Sequence, residues 1–93
     1  MIQATDIAFL PRGVRTHRDT VRATDVLLAP ERVLMLDHIG VAILSRLDGT
    51  ANVGDVSEDL AKTYEAPREV IEPDVIEYLT DLRNKGFVHV RKD

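Results

Sequence analysis

Between Val26 and Asp37 the chain reads VLLAPERVLMLD, two short apolar runs joined at Pro30 and Glu31. Proline has no amide hydrogen to give a ladder, so Pro30 belongs in a turn. The flanking runs, Val26–Ala29 and Arg32–Leu36, are predicted to be strands. A strand shows alternate residues to opposite faces, so Val26 and Leu28 lie opposite Leu27 and Ala29. Val33 and Met35 likewise lie opposite Leu34 and Leu36. Both faces are therefore apolar. With so few predicted strands, one face can pack on helices, and the other face or the open edge is left for a partner.

The 93 residues, 44% of them apolar, allow one modest core. A flexible arm over residues 1–11 and a single domain over 12–93 are expected. Without cysteine, a disulfide framework and a thiolate metal site are excluded. No apolar run is long enough to span a membrane, and Met1 to Pro11 lacks the pattern of a signal peptide, so a soluble cytoplasmic protein is expected. Arg12, Arg15, Arg18, Arg22 and Arg32 outnumber the acids of their segment, whereas Asp55 to Asp81 is strongly acidic.

Gly13 to Arg18 alternates and reads as a first strand, ahead of the two around Pro30. Asp37 stands where a helix N-cap belongs, and Ile39, Ile43 and Leu47 follow at helical spacing, with Gly49 just past the end. Asn52 and Asp55 suggest a second cap, before Val53, Val56, Leu60 and Tyr64. A third helix carries Ile71, Val75, Tyr78, Leu79 and Leu82 and stops at Gly86. Pro67 suits its first turn, and Pro73 is expected to kink it. Phe87 to Arg91 is a short closing strand or an ordered tail. The outline is α+β: a three-stranded antiparallel sheet followed by three helices, winged helix-turn-helix-like.

No catalytic constellation is evident. His17, His38 and His89 lie on different elements without metal-ligand spacing, the glycines are scattered, and Ser45 and Ser57 have no base at a motif spacing. No enzyme, metal or cofactor is expected. The alternative of a winged-helix DNA-binding regulator meets a third helix bearing Glu69, Glu72, Asp74, Glu77 and Asp81, which phosphate would repel. Peptide capture fits better, because an open strand edge accepts an extended peptide as an added strand. The candidate edge is Arg32, Val33, Leu34, Met35 and Leu36, and the candidate wall is Val75, Tyr78, Leu79 and Leu82. Taken singly, Leu34, Leu36, Leu79 and Leu82 fit the core. For Arg32, Met35 and Tyr78 both roles stay open. Proline at Leu34 would block the edge if that amide points outward. The same edge could serve a second copy, a possible homodimer.

RGVR at Arg12 to Arg15, VLLAPERVLMLD, and a helical remainder ending in Lys85-Gly86-Phe87 closely resemble the PqqD family, over about Phe9 to Val88. These are the small peptide chaperones of pyrroloquinoline quinone biosynthesis, used as RiPP recognition elements. The resemblance implies a winged-helix-like domain whose guest, the precursor peptide PqqA, pairs with the third predicted strand and lies along the third helix. It implies delivery to PqqE, a radical SAM enzyme whose iron-sulfur clusters serve to link a glutamate and a tyrosine of that peptide. The cofactors belong to that enzyme. The chain departs from the family pattern at Asp25, where members often carry an aromatic residue, and at Pro73.

Overall fold

Pro30 and Glu31 form a two-residue turn, with Glu31 in the left-handed region at a φ of 61°. This turn sets the pairing of β3 (Thr24–Ala29) with β4 (Arg32–Leu36), in which Ala29 faces Arg32, Leu27 faces Leu34 and Asp25 faces Leu36. On the other side of β3 lies β2 (Arg15–Asp19), also antiparallel. The connection between them is fastened by Asp19, whose Oδ1 accepts from the amides of Val21 and Arg22. The computed structural model describes residues 1–92.

Three helices follow the sheet: α1 (His38–Leu44), α2 (Val53–Tyr64) and α3 (Arg68–Asn84). The α+β expectation of a three-stranded antiparallel sheet followed by three helices is met. Asp37 caps α1 through Gly40 N at 2.8 Å. Asn52 and Asp55 form the reciprocal capping box of α2, at 2.7 and 3.1 Å. Helix α1 is shorter than its apolar stripe suggested. Arg46 and Leu47 turn back by tighter amide bonds to Ile43 and Leu44, and Leu47 packs on the core from this turn instead. Helix α3 is continuous through the exposed Pro73.

The core forms where one sheet face meets the helices. Leu27 and Leu36 pack there with Ile43 and Leu44 of α1, Val56 and Leu60 of α2, and Val75, Leu79 and Leu82 of α3. No helix among the described residues is long and apolar enough to cross a membrane.

The expected loose arm is instead packed. β1 (Ile7–Phe9) pairs antiparallel with β5 (His89–Arg91), and Ile2, Ile7 and Ala8 are buried. The first amides of a helix have no partner within it. In α2 two of them find main-chain acceptors in this segment: Val53 N donates to Asp6 O and Gly54 N to Ala4 O, at 2.9 and 2.8 Å. Asp6 is itself 1% exposed, and its carboxylate accepts from Lys92 Nζ and from Gln3 N, each at 2.8 Å.

The Lys92 contact, then the Gln3 amide, holds the Asp6 carboxyl below its ordinary pKa of 3.8, against the opposing effect of burial. A folded pKa below the unfolded one stabilises the fold above the unfolded value, and that contribution is lost as pH falls through the folded value. Below about pH 4 the stability is therefore expected to fall more steeply in the native chain than in Asp6→Asn, which begins lower, by about 1–3 kcal/mol at pH 7. Parallel acid limbs in thermal melts of the two proteins would refute this role for Asp6.

Candidate functional site

The strand order β2-β3-β4 leaves the far side of β4 unpaired. Outward from a two-residue turn, hydrogen-bonded and non-hydrogen-bonded pairs alternate in an antiparallel hairpin. Ala29–Arg32, Leu27–Leu34 and Asp25–Leu36 are then the bonded pairs, and Leu28–Val33 and Val26–Met35 the others. The amides and carbonyls of Val33 and Met35 therefore point to the open edge, and those of Leu34 point to β3. Proline at Leu34 would break the hairpin rather than block the edge.

The side chains follow the same alternation. Val33 and Met35 stand on the outer face, 61% and 60% exposed, beside Leu28, while Leu36 is buried in the core and Leu34 half-buried. Asp25 is held across the sheet by Arg18 at 3.1 Å.

The start of β4 is tied to the segment that ends α3, and α1, which follows β4, meets α3 itself. At the start, the Arg32 guanidinium lies 4.1 Å from the centre of the Phe87 ring and donates to Lys85 O at 2.6 Å. At the far end, Gly40, in the first turn of α1, lies so close to the Tyr78 hydroxyl that a β carbon there would collide with it. These contacts bring Lys85 to the start of β4 and Tyr78 to the turn of α1 that follows its end. The phenol of Tyr78 has its pKa raised, first by burial and then by the charges of Asp37 and Asp81.

Of the predicted wall, only Tyr78 reaches this surface. Val75, Leu79 and Leu82 are buried, as is Leu36 of the predicted edge, so they support the site from within the core. Arg32 is exposed but engaged with Phe87 and Lys85. A groove of about 460 Å³, not expected from the sequence, lies between α1 and α3, lined by Ile39, Ile43, Asp74, Glu77, Tyr78 and Asp81. The 74, 78, 81 spacing on one helix face was the available signal. Among the described residues, no group of three or more His, Cys, Asp or Glu is placed to hold a metal ion.

Sheet, helices and open edge define a small α+β domain of winged-helix outline. The chain belongs to the PqqD family: residues 26–88 match the family described as coenzyme PQQ synthesis protein D (PqqD). It is 51% identical over 79 residues to the PqqA binding protein of Bradyrhizobium diazoefficiens, an alignment spanning 85% of this chain and 77% of that one. The solution structure of the PqqD truncation of Methylobacterium extorquens PqqCD, described as a functional and stand-alone RiPP recognition element, superposes with a TM-score of 0.83. That match has 39% identity and covers 96% of this chain and 95% of the other. The crystal structure of PqqD from Xanthomonas campestris gives 0.58 at 42% identity, over 84% and 87% of the two chains.

The contact of Gly40 with Tyr78 is open to test. Gly40→Ala should turn the Tyr78 ring outward and bring the phenol titration down towards its ordinary value. The fold should persist, because alanine favours the helix by up to about 1 kcal/mol and offsets part of the disturbance. Unchanged Tyr78 ring resonances and an unchanged titration would show that the close approach does not hold the ring.

Proposed function

We propose that this chain is a peptide chaperone of pyrroloquinoline quinone biosynthesis. It binds the ribosomally made PqqA as an added strand on β4, beside α3, and presents it to the radical SAM enzyme PqqE. The observation that carries the reading is the edge itself. Val33 and Met35 turn main-chain groups outward and lay exposed apolar side chains beside them. An extended guest would take up these donors and acceptors, with alternate side chains against Val33 and Met35 or towards Tyr78. Family membership and the names of the relatives support the identity of the guest.

The chain contributes no chemical step in this reading. Holding the leader raises the effective concentration of the reacting segment at the enzyme, which needs an anchor and no catalytic group. The enzyme supplies the clusters. The acidic outer side of α3, with Asp74, Glu77 and Asp81 exposed, weighs against the DNA-binding alternative, because phosphate would meet carboxylates there.

Met35→Pro is the direct test, since it removes an outward-pointing donor while the amides of Leu34 and Leu36 still bond to β3. Affinity for synthetic PqqA, measured by calorimetric titration, should fall about tenfold or more, because a guest carbonyl loses its partner. Amide shifts on titrating the native chain should begin at Val33, Met35 and Tyr78, and cross-linking of PqqA by PqqE should fall with the binding. Undiminished affinity in a folded Met35→Pro protein would remove strand addition on β4.

A further inference from the structure

The groove between α1 and α3 has two unlike sides. Ile39, 43% exposed, Ile43 and the ring of Tyr78 make it apolar on one side. On the other, successive turns of α3 present Asp74, Glu77 and Asp81. A second hollow of about 250 Å³, floored by Ala42, Leu60 and Ile71, opens beside it on the same Ile39 and Asp74. The groove shares Tyr78 with the end of the β4 edge, so a strand leaving that edge past Leu36 is directed into it.

The charges here are unbalanced. Asp81 pairs with Lys85 at 2.9 Å, whereas Asp74 and Glu77 take part in no ion pair among the described residues. By contrast, Asp59 is matched by Arg46 and Asp25 by Arg18. An acidic guest side chain would be repelled. A purely apolar one would strip water from Asp74 and Glu77 without replacing it. A long side chain with an apolar stem and a cationic head suits both sides at once.

We propose that this groove takes a lysine or arginine side chain of the bound peptide, its stem against Ile39, Ile43 and Tyr78 and its head between Asp74 and Glu77. The inference rests on the strand-addition reading and adds to it what selects the guest. The edge of β4 accepts any extended chain; the groove asks for a positive charge where the peptide passes Tyr78.

The test is a double-mutant cycle by calorimetric titration. One axis is the native chain against Asp74→Asn/Glu77→Gln. The other is synthetic PqqA against copies with each Lys or Arg changed singly to Gln. Both protein substitutions lie on the exposed side of α3, and matched melting curves serve as the control for folding. The doubly neutralised protein should bind unaltered PqqA about fivefold more weakly at low salt, with the gap closing at high salt. One Gln copy should show the same loss on the native chain and no further loss on the neutralised one. Equal affinity of the two proteins for PqqA, or losses that simply add, would overturn the cationic pocket while leaving strand addition intact. Undiminished binding of PqqA by Met35→Pro would instead strike the strand-addition reading, and the pocket with it.

Discussion

If β4 slid by one residue against β3, Leu34 and Leu36 would turn outward and Val33 and Met35 would turn into the core. The same slip would exchange which amides face the open edge. Core and site therefore depend on one register, and the register depends on the turn at Pro30 and Glu31. Proline is pre-set for the first of these positions, while Glu31 accepts a φ of 61° that costs an L-residue on the order of 1 kcal/mol. Burial of Leu27 and Leu36 offsets that cost, since a fully buried leucine contributes roughly 1.5–3 kcal/mol.

Helix α3 uses its two sides differently. Val75, Leu79 and Leu82 fix it to the core, which leaves Tyr78 and Asp81 little freedom to move relative to β4. Arg32 closes the arrangement at one end by reaching Phe87 and Lys85, and Gly40 closes it at the other by admitting Tyr78. A cleft whose walls are set before the guest arrives loses less entropy on binding. On the proposed reading, the buried leucines act on recognition through position rather than contact.

The hairpin and the three helices were legible because their signals are local: alternation, a proline between two runs, Asp37 and Asn52 at helix starts. The packing of the N-terminal segment was not. It joins Ile7–Phe9 to His89–Arg91 at the opposite end of the chain, and it completes the α2 cap with the carbonyls of Ala4 and Asp6, which every sequence possesses. The geometry of the candidate site was legible in part. The strand at Arg32–Leu36 could be named, yet the apolar spacing of Val75, Leu79 and Leu82 reports burial and cannot separate a wall from the core beneath it. Ile39 meets Asp74 and Glu77 only once α1 has folded against α3.

The edge is short enough to constrain what it can do by itself. Only Val33 and Met35 turn outward, so an added strand gains about four main-chain hydrogen bonds, each worth roughly 0.5–1.5 kcal/mol net. Ordering a free peptide and docking it costs about 4–15 kcal/mol, which matches or exceeds that gain. Main-chain pairing alone would then hold a guest weakly, whatever its sequence. The balance has to come from side chains, and the surfaces available are Val33 and Met35 on the outer face and the groove from Tyr78 to Ile39 on the other. A five-residue strand bracketed by Glu31, Arg32 and Asp37 also offers little to an arbitrary aggregating edge, because charges flank the apolar pair. On the proposed reading, the same shortness that weakens indiscriminate pairing moves selection of the guest onto α1 and α3.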